Sequence, residues 1–216
     1  TLLETLVEQK SAVSALVAFN VQNILQLEIL RRVTQELTRP AIAQFSARYI
    51  KYGEDRIGLE PLLDRYQRDR LFFYLDHCTS PELVEFCADR GFASVMFDGS
   101  AMRTADNLDI AGRLYRRFRS CGHKTILEIE PGTIGGTEDE VSSGSSNVYS
   151  LADLDEAVRR SEFDLLALAI GNAHGLYQTM DGVRPELLRV AQDRYPNLLL
   201  VLHGATGLSD GTIREC

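Results

Sequence analysis

Three of the four histidines in this 216-residue chain occupy equivalent places. His77 and His203 close short apolar runs, and His174 lies a few residues past another, in Gly171-Asn-Ala-His-Gly175. The fourth, His123, precedes an apolar run and belongs to the opposite end of the strands. Three imidazoles gathered at one rim, with a coordination position left open, is the donor set of a catalytic zinc ion. Asp76 stands directly before His77. Adjacent strand residues point to opposite faces, so Asp76 is read as a neighbouring acid/base group or a support for the ligands, not as a fourth ligand. Asp98 and Glu130 end two further runs. They could hold a second cation or orient the first; the blander reading has them capping helices or pairing with Arg103.

Gly132, Gly135, Gly136, Gly175, Gly204 and Gly207 all fall just past apolar runs. Glycine there lets backbone N–H groups approach an anion, although for any single glycine plain turn chemistry is the better reading. The run His203-Gly-Ala-Thr-Gly207 is the better phosphate cradle. The only lysines are Lys10, Lys51 and Lys124. Lys124 opens its run and the other two lie outside the runs, so imine chemistry lacks its nucleophile. Carbanion chemistry would need a metal instead.

These groups must be held by the runs themselves: Ala15–Asn20, Ala41–Ser46, Leu71–His77, Ser94–Gly99, Thr125–Glu130, Leu165–Gly171 and Leu198–Gly204. Each is nearly continuous in aliphatic and aromatic residues, as in strands buried on both faces. Between them the spacing predicts helices. Gln22–Thr38 puts Ile24, Leu27, Leu30, Val33 and Leu37 on one stripe. Pro81–Arg90 follows the N-cap Ser80 and ends at Gly91, and Arg103–Ser120 closes at Gly122. Leu151–Ser161 follows Ser150 with Asp153 placed for a capping box, and Pro185–Tyr195 begins with proline. Pro131–Tyr149 reads as a long functional loop. Regular βα alternation implies a parallel sheet covered by helices. The even hydrophobicity of the runs and the gathering of chemistry at their C-terminal ends favour a TIM (β/α)8 barrel over an open doubly wound sheet.

Composition narrows the function classes. Hydrophobic residues make up 44% and charged residues 25%, enough for a packed core. A net charge of −8 disfavours nucleic acid and acidic membrane surfaces as partners. No run approaches a membrane span and no basic–apolar leader opens the chain, so the expectation is a cytoplasmic protein. The cysteines Cys78, Cys87, Cys121 and Cys216 form no paired motif and read as free thiols.

Ala18-Phe-Asn20, Gln44-Phe-Ser46, Leu75-Asp-His77, Ser94-Val-Met-Phe-Asp-Gly-Ser100, Glu128-Ile-Glu-Pro-Gly-Thr-Ile-Gly-Gly136 with Glu138-Asp139, Ala169-Ile-Gly-Asn-Ala-His-Gly175 and Leu202-His-Gly-Ala-Thr-Gly207 follow one another in order. Together they resemble the class II, metal-dependent fructose- and tagatose-bisphosphate aldolases. The resemblance implies reversible cleavage of a ketose 1,6-bisphosphate to dihydroxyacetone phosphate and glyceraldehyde 3-phosphate, through an enediolate stabilised by Zn2+. It implies His77, His174 and His203 as zinc ligands, with Asp98 and Glu130 at an alternate position that could take a second divalent or monovalent cation. Asp76 would handle the acceptor aldehyde oxygen, and Glu138 the donor carbon's proton. Gly175, Gly204 and Thr206 would meet the donor phosphate, and Asn20 and Ser46 the substrate. The partners implied are a phosphorylated sugar and further copies of the chain, as a homodimer or homotetramer. Where the family carries a phosphate-contacting lysine this chain has Gln178, and Pro131 and Thr137 also depart from the pattern. Only seven strands are counted, so residues 1–216 are expected to be a single barrel domain lacking its final βα unit. A non-catalytic barrel subunit, or an aldolase for a donor without phosphate, are the competing readings.

Overall fold

The computed structural model describes residues 1–56, 58–67, 70–138, 141–143, 148–175 and 182–216. The fold is α/β. The sheet has seven strands in the order β1-β2-β3-β4-β5-β8-β9, where β1 is Ala18–Asn20, β2 Ala41–Ser46, β3 Leu71–Cys78, β4 Ser94–Phe97, β5 Ile126–Ile129, β8 Leu165–Ala167 and β9 Leu199–Val201. Each predicted run holds one of them. Two compact units divide the chain: Thr1–Phe97 with Arg116–Leu127, and Asp98–Tyr115 with Glu128–Cys216.

In the first unit β1, β2 and β3 pair in parallel, with Asn20 opposite Gln44 and Ser46 opposite Asp76. Its core is aromatic: Phe73 lies 4.7 Å from Phe45 and 5.8 Å from Phe92, ring centre to ring centre. Helices α1 (Leu2–Ser11), α3 (Ala47–Arg56) and α4 (Glu60–Tyr66) are additions to the expected pattern. Helix α2 (Ile24–Leu37) starts where Asn23 Oδ1 accepts from Gln26 N–H. Its burial differs from the predicted stripe: Leu27 and Thr34 are buried, whereas Leu25, Ile29, Val33 and Leu37 form an exposed row. Helix α5 (Pro81–Asp89) has the predicted Ser80 N-cap and the left-handed Gly91 beyond its end.

In the second unit β5 pairs with β8 and β8 with β9, all parallel, with Glu128 opposite Leu165 and Leu165 opposite Leu199. The C-terminal ends of these strands therefore share one edge. The predicted capping box opens α7 (Leu151–Arg160), and α6 (Thr104–Ser120), α8 (Glu186–Arg194) and the short α9 (Asp210–Glu215) complete the helices. Pro131–Tyr149 is not a structureless loop. It contains an antiparallel hairpin, β6 (Gly136–Glu138) with β7 (Val141–Ser143). No described helix is long and apolar enough to cross a membrane.

Candidate metal and acid/base site

Asp76 and His77 lie near the end of β3, at an irregularity just before Cys78. Leu75 faces Val95 on β4 and Cys78 faces Phe97, so two residues of β3 stand against Met96 alone. An extra residue of this kind re-aims side chains and locally replaces strict alternation. His77 carries the cost, with a φ of +35° rare for a residue with a Cβ. Strains of this kind gather at functional positions. Asp76 is buried, at 3% exposure, and its carboxylate accepts a hydrogen bond from the Gln44 amide on β2. A buried carboxylate without such a donor would be costly to keep ionised. Ser46 Oγ accepts from Tyr49 N–H at 3.3 Å, capping the turn into α3, and Asn20 is exposed at the end of β1.

The second unit brings four predicted residues into two pairs. His174 and His203 have ring centres 5.8 Å apart, tilted by 58°, and present ring nitrogens within 4.8 Å of each other. Asp98 and Glu130 present carboxylate oxygens within the same limit. Both carboxylates are buried, at 2% and 1% exposure. Each also holds local backbone: Asp98 Oδ1 accepts from Ser100 N–H at 3.0 Å, and Glu130 Oε1 from Ile134 N–H at 2.6 Å. Arg103 pairs with Asp106, not with Asp98. The carboxylates thus cap local turns rather than helices, and Arg103 is not the partner of Asp98.

The residues behind these pairs were not singled out from the sequence. Glu128, one strand repeat before Glu130, meets His203 Nε2 through Oε1 at 2.8 Å, with both side chains buried. Asn172 is fully buried. Its Oδ1 accepts from Ile170 N–H at 2.8 Å and its Nδ2 donates to the His203 carbonyl at 3.0 Å, tying the segment after β8 to the segment after β9. Asn107 on α6 does the same for β5, donating to the Glu130 carbonyl at 2.8 Å, and Gly99 is pressed against it so closely that a Cβ would overlap the Asn107 side chain. A polar residue inside an otherwise apolar run was the available signal for Glu128; Asn172 lies past its run and Asn107 on a helix rich in polar residues.

Two glycines lock the backbone around the histidines. Gly136 has φ +98°, and a Cβ there would lie 2.5 Å from the His174 carbonyl; His174 N–H donates to Gly135 O at 2.8 Å. Gly204, at φ +67°, backs onto the Ala173 carbonyl. Gly175 and Thr206 are exposed beside them. Glu138 is placed only by its backbone on β6, its side chain lying outside the described residues, as does Gln178.

Two imidazoles ring to ring, His203 buried and His174 partly so, with a carboxylate behind His203, fit the donor set for a divalent cation with a carboxylate-supported histidine ligand. The profile of the class-II fructose-bisphosphate aldolases matches residues 1–216. A fructose-bisphosphate aldolase of Helicobacter pylori is 30% identical over 89% of this chain and 64% of its own length. A 6-phospho-5-dehydro-2-deoxy-D-gluconate aldolase of Halalkalibacterium halodurans is 31% identical over 98% of this chain and 74% of its own. A solved structure from Coccidioides immitis, described as a fructose-1,6-bisphosphate aldolase, superposes with a TM-score of 0.87 at 26% identity, covering 99% of this chain and 76% of that one. The chain spans about two thirds to three quarters of the length of the curated relatives it matches.

Proposed function

The chain belongs to the class-II fructose-bisphosphate aldolase family, and from that premise we propose that it is a metal-dependent aldolase, a carbon–carbon lyase cleaving a phosphorylated ketose. The observation that carries the reading is the His174–His203 ring pair with the buried Glu128 behind His203. We take His77, at the strained end of β3, as the third ligand and zinc as the metal. Asp98 and Glu130 are the alternate cation position. A zinc ion held there would act as a Lewis acid, stabilising negative charge on the substrate ketone oxygen.

The chain's own groups divide the remaining work. Asp76 gives a proton to the acceptor aldehyde oxygen as the carbon–carbon bond forms and removes it during cleavage; burial and the Gln44 amide keep its carboxylate in one place. Glu138 moves the proton of the donor carbon from the β6–β7 hairpin. That hairpin is anchored by Gly135 and Gly136 to the backbone of His174, which supports a concerted placement of base and ligand. Gly175, Gly204 and Thr206 meet the donor phosphate, with Asn20 and Ser46 on the rest of the substrate. The substrate class is a phosphorylated sugar, with a fructose or tagatose bisphosphate first and the phosphorylated dehydrodeoxygluconate named for one relative second. The four free cysteines and acidic charge suit a reducing cytoplasm, and the family reading brings with it a homodimer or homotetramer. The finer fold reading is a (β/α)8 barrel to which this chain contributes seven strands. The exposed Val17 and Phe19 beside β1, with the exposed apolar row of α2, are surfaces a further βα unit would cover.

Metal content and cleavage test the reading together. Purified protein should carry close to one zinc per chain and cleave fructose 1,6-bisphosphate in a reaction abolished by chelator and restored by zinc. A metal content below about 0.3 per chain after zinc-supplemented purification would refute it, since three protein ligands around an open position should retain zinc through purification.

A further inference from the structure

We propose that Glu128 is a positioning residue that acts through His203, fixing the ring so that Nδ1 is its metal-binding atom. The proposal rests on the metal-centre reading above and deepens it. Glu128 Oε1 lies 2.8 Å from His203 Nε2, with the two side chains only 1% and 6% exposed. An ionised carboxylate has no proton to give, so the shared hydrogen belongs to the imidazole, on Nε2. In a neutral ring the lone pair then falls on Nδ1. The backbone of the same residue is held from the other side, because Asn172 Nδ2 donates to the His203 carbonyl at 3.0 Å. Ring and backbone are thus fixed by separate groups from two neighbouring strands' ends. The carboxylate also polarises the imidazole, strengthening it as an electron-pair donor to a cation.

A buried pair kept for stability alone would fix the same tautomer but leave metal affinity unchanged, so the affinity separates the two and the tautomer tests the geometry. Both can be read directly. Metal-free protein labelled with 15N-histidine, observed by multiple-bond 1H–15N correlation at mildly alkaline pH, should show His203 as the Nε2–H tautomer. Competition against a chromogenic chelator should show zinc held about 10- to 100-fold more weakly by Glu128→Ala than by the parent chain. Glu128→Gln should fall nearer the parent, because its amide oxygen still accepts from Nε2–H. Circular dichroism establishes that each variant is folded. An Nδ1–H tautomer in the parent chain overturns the proposal even if no variant folds. So does a folded Glu128→Ala that binds zinc within about twofold of the parent, since removing such a support is expected to cost at least tenfold. A parent chain that binds no zinc overturns the metal centre itself, whichever tautomer His203 adopts.

Discussion

Asn172→Ala should destabilise the protein out of proportion to the few atoms removed. The side chain is fully buried and makes two hydrogen bonds, accepting from Ile170 N–H at 2.8 Å and donating to His203 O at 3.0 Å. Truncation leaves an amide hydrogen and a carbonyl oxygen behind in the interior. Each buried polar group stripped of its partner costs about 1–3 kcal/mol, so the pair is expected to cost about 2–4 kcal/mol after partial relaxation or entry of a water molecule. For a chain of this size each kcal/mol lowers Tm by about 2–4 °C, which gives a fall of roughly 5–15 °C. The measurement is thermal unfolding of the metal-free protein followed by circular dichroism, so that lost zinc affinity does not enter. Asn172→Asp is the informative companion. It keeps an acceptor for Ile170 N–H but turns a second oxygen towards the His203 carbonyl, and should be at least as damaging as alanine. If Asn172→Ala melts within about 1 °C of the parent, an effect of the size seen for ordinary surface changes, Asn172 does not tie the segments after β8 and β9 together.

Three other outcomes are expected. Asp76→Asn should leave zinc content unchanged while turnover falls by about two orders of magnitude or more, the range for a positioned acid/base group, checked by steady-state cleavage beside metal analysis. Gly136→Ala should lower stability by about 1–2 kcal/mol from the positive φ alone, and should weaken zinc binding as well, because the new Cβ would push on the His174 backbone. Arg31 and then Arg32 hold the Glu28 carboxyl at about 2, below its ordinary 4.5. Its folded value is depressed, so its contribution is present above pH 4.5 and is lost as pH falls towards 2. An acid titration of Glu28→Gln should therefore converge on the parent's stability across that window.

The strands were legible because fully buried parallel strands leave long apolar runs, and each run holds one strand within a few residues. The helices with strong end signals were equally plain: Ser80-Pro81 and Ser150 with Asp153 cap as their residue types require. What escaped was structure without a periodic apolar signature. Helix α3 follows β2 without a connecting turn and α4 is only seven residues long. The β6–β7 hairpin is built from Gly136-Thr-Glu138 and Val141-Ser-Ser143, a pair too polar to read as strands. Of the predicted α2 stripe Leu27 is buried and Leu30 partly so, while Ile24, Val33 and Leu37 are exposed, since spacing gives an apolar face but not which part of it meets the core.

The site divides along the same physical line. A histidine or carboxylate at the end of an apolar run announces itself, because nothing in packing asks for it there. Glu128 and Asn172 announce themselves less, because their justification lies in partners far along the chain, 75 residues away for the Glu128–His203 pair. Yet strand parity held part of the answer. Glu128 lies in β5 and Glu130 just past its end, two residues on in the same apolar run, and two buried carboxylates so close are untenable unless each finds a cation or a donor. Glu130 has the Ile134 amide and lies near Asp98; Glu128 has the His203 ring. A pair of acids at i and i+2 in an apolar run therefore calls for a search for donors across the sheet, and the donor found here is itself a proposed ligand.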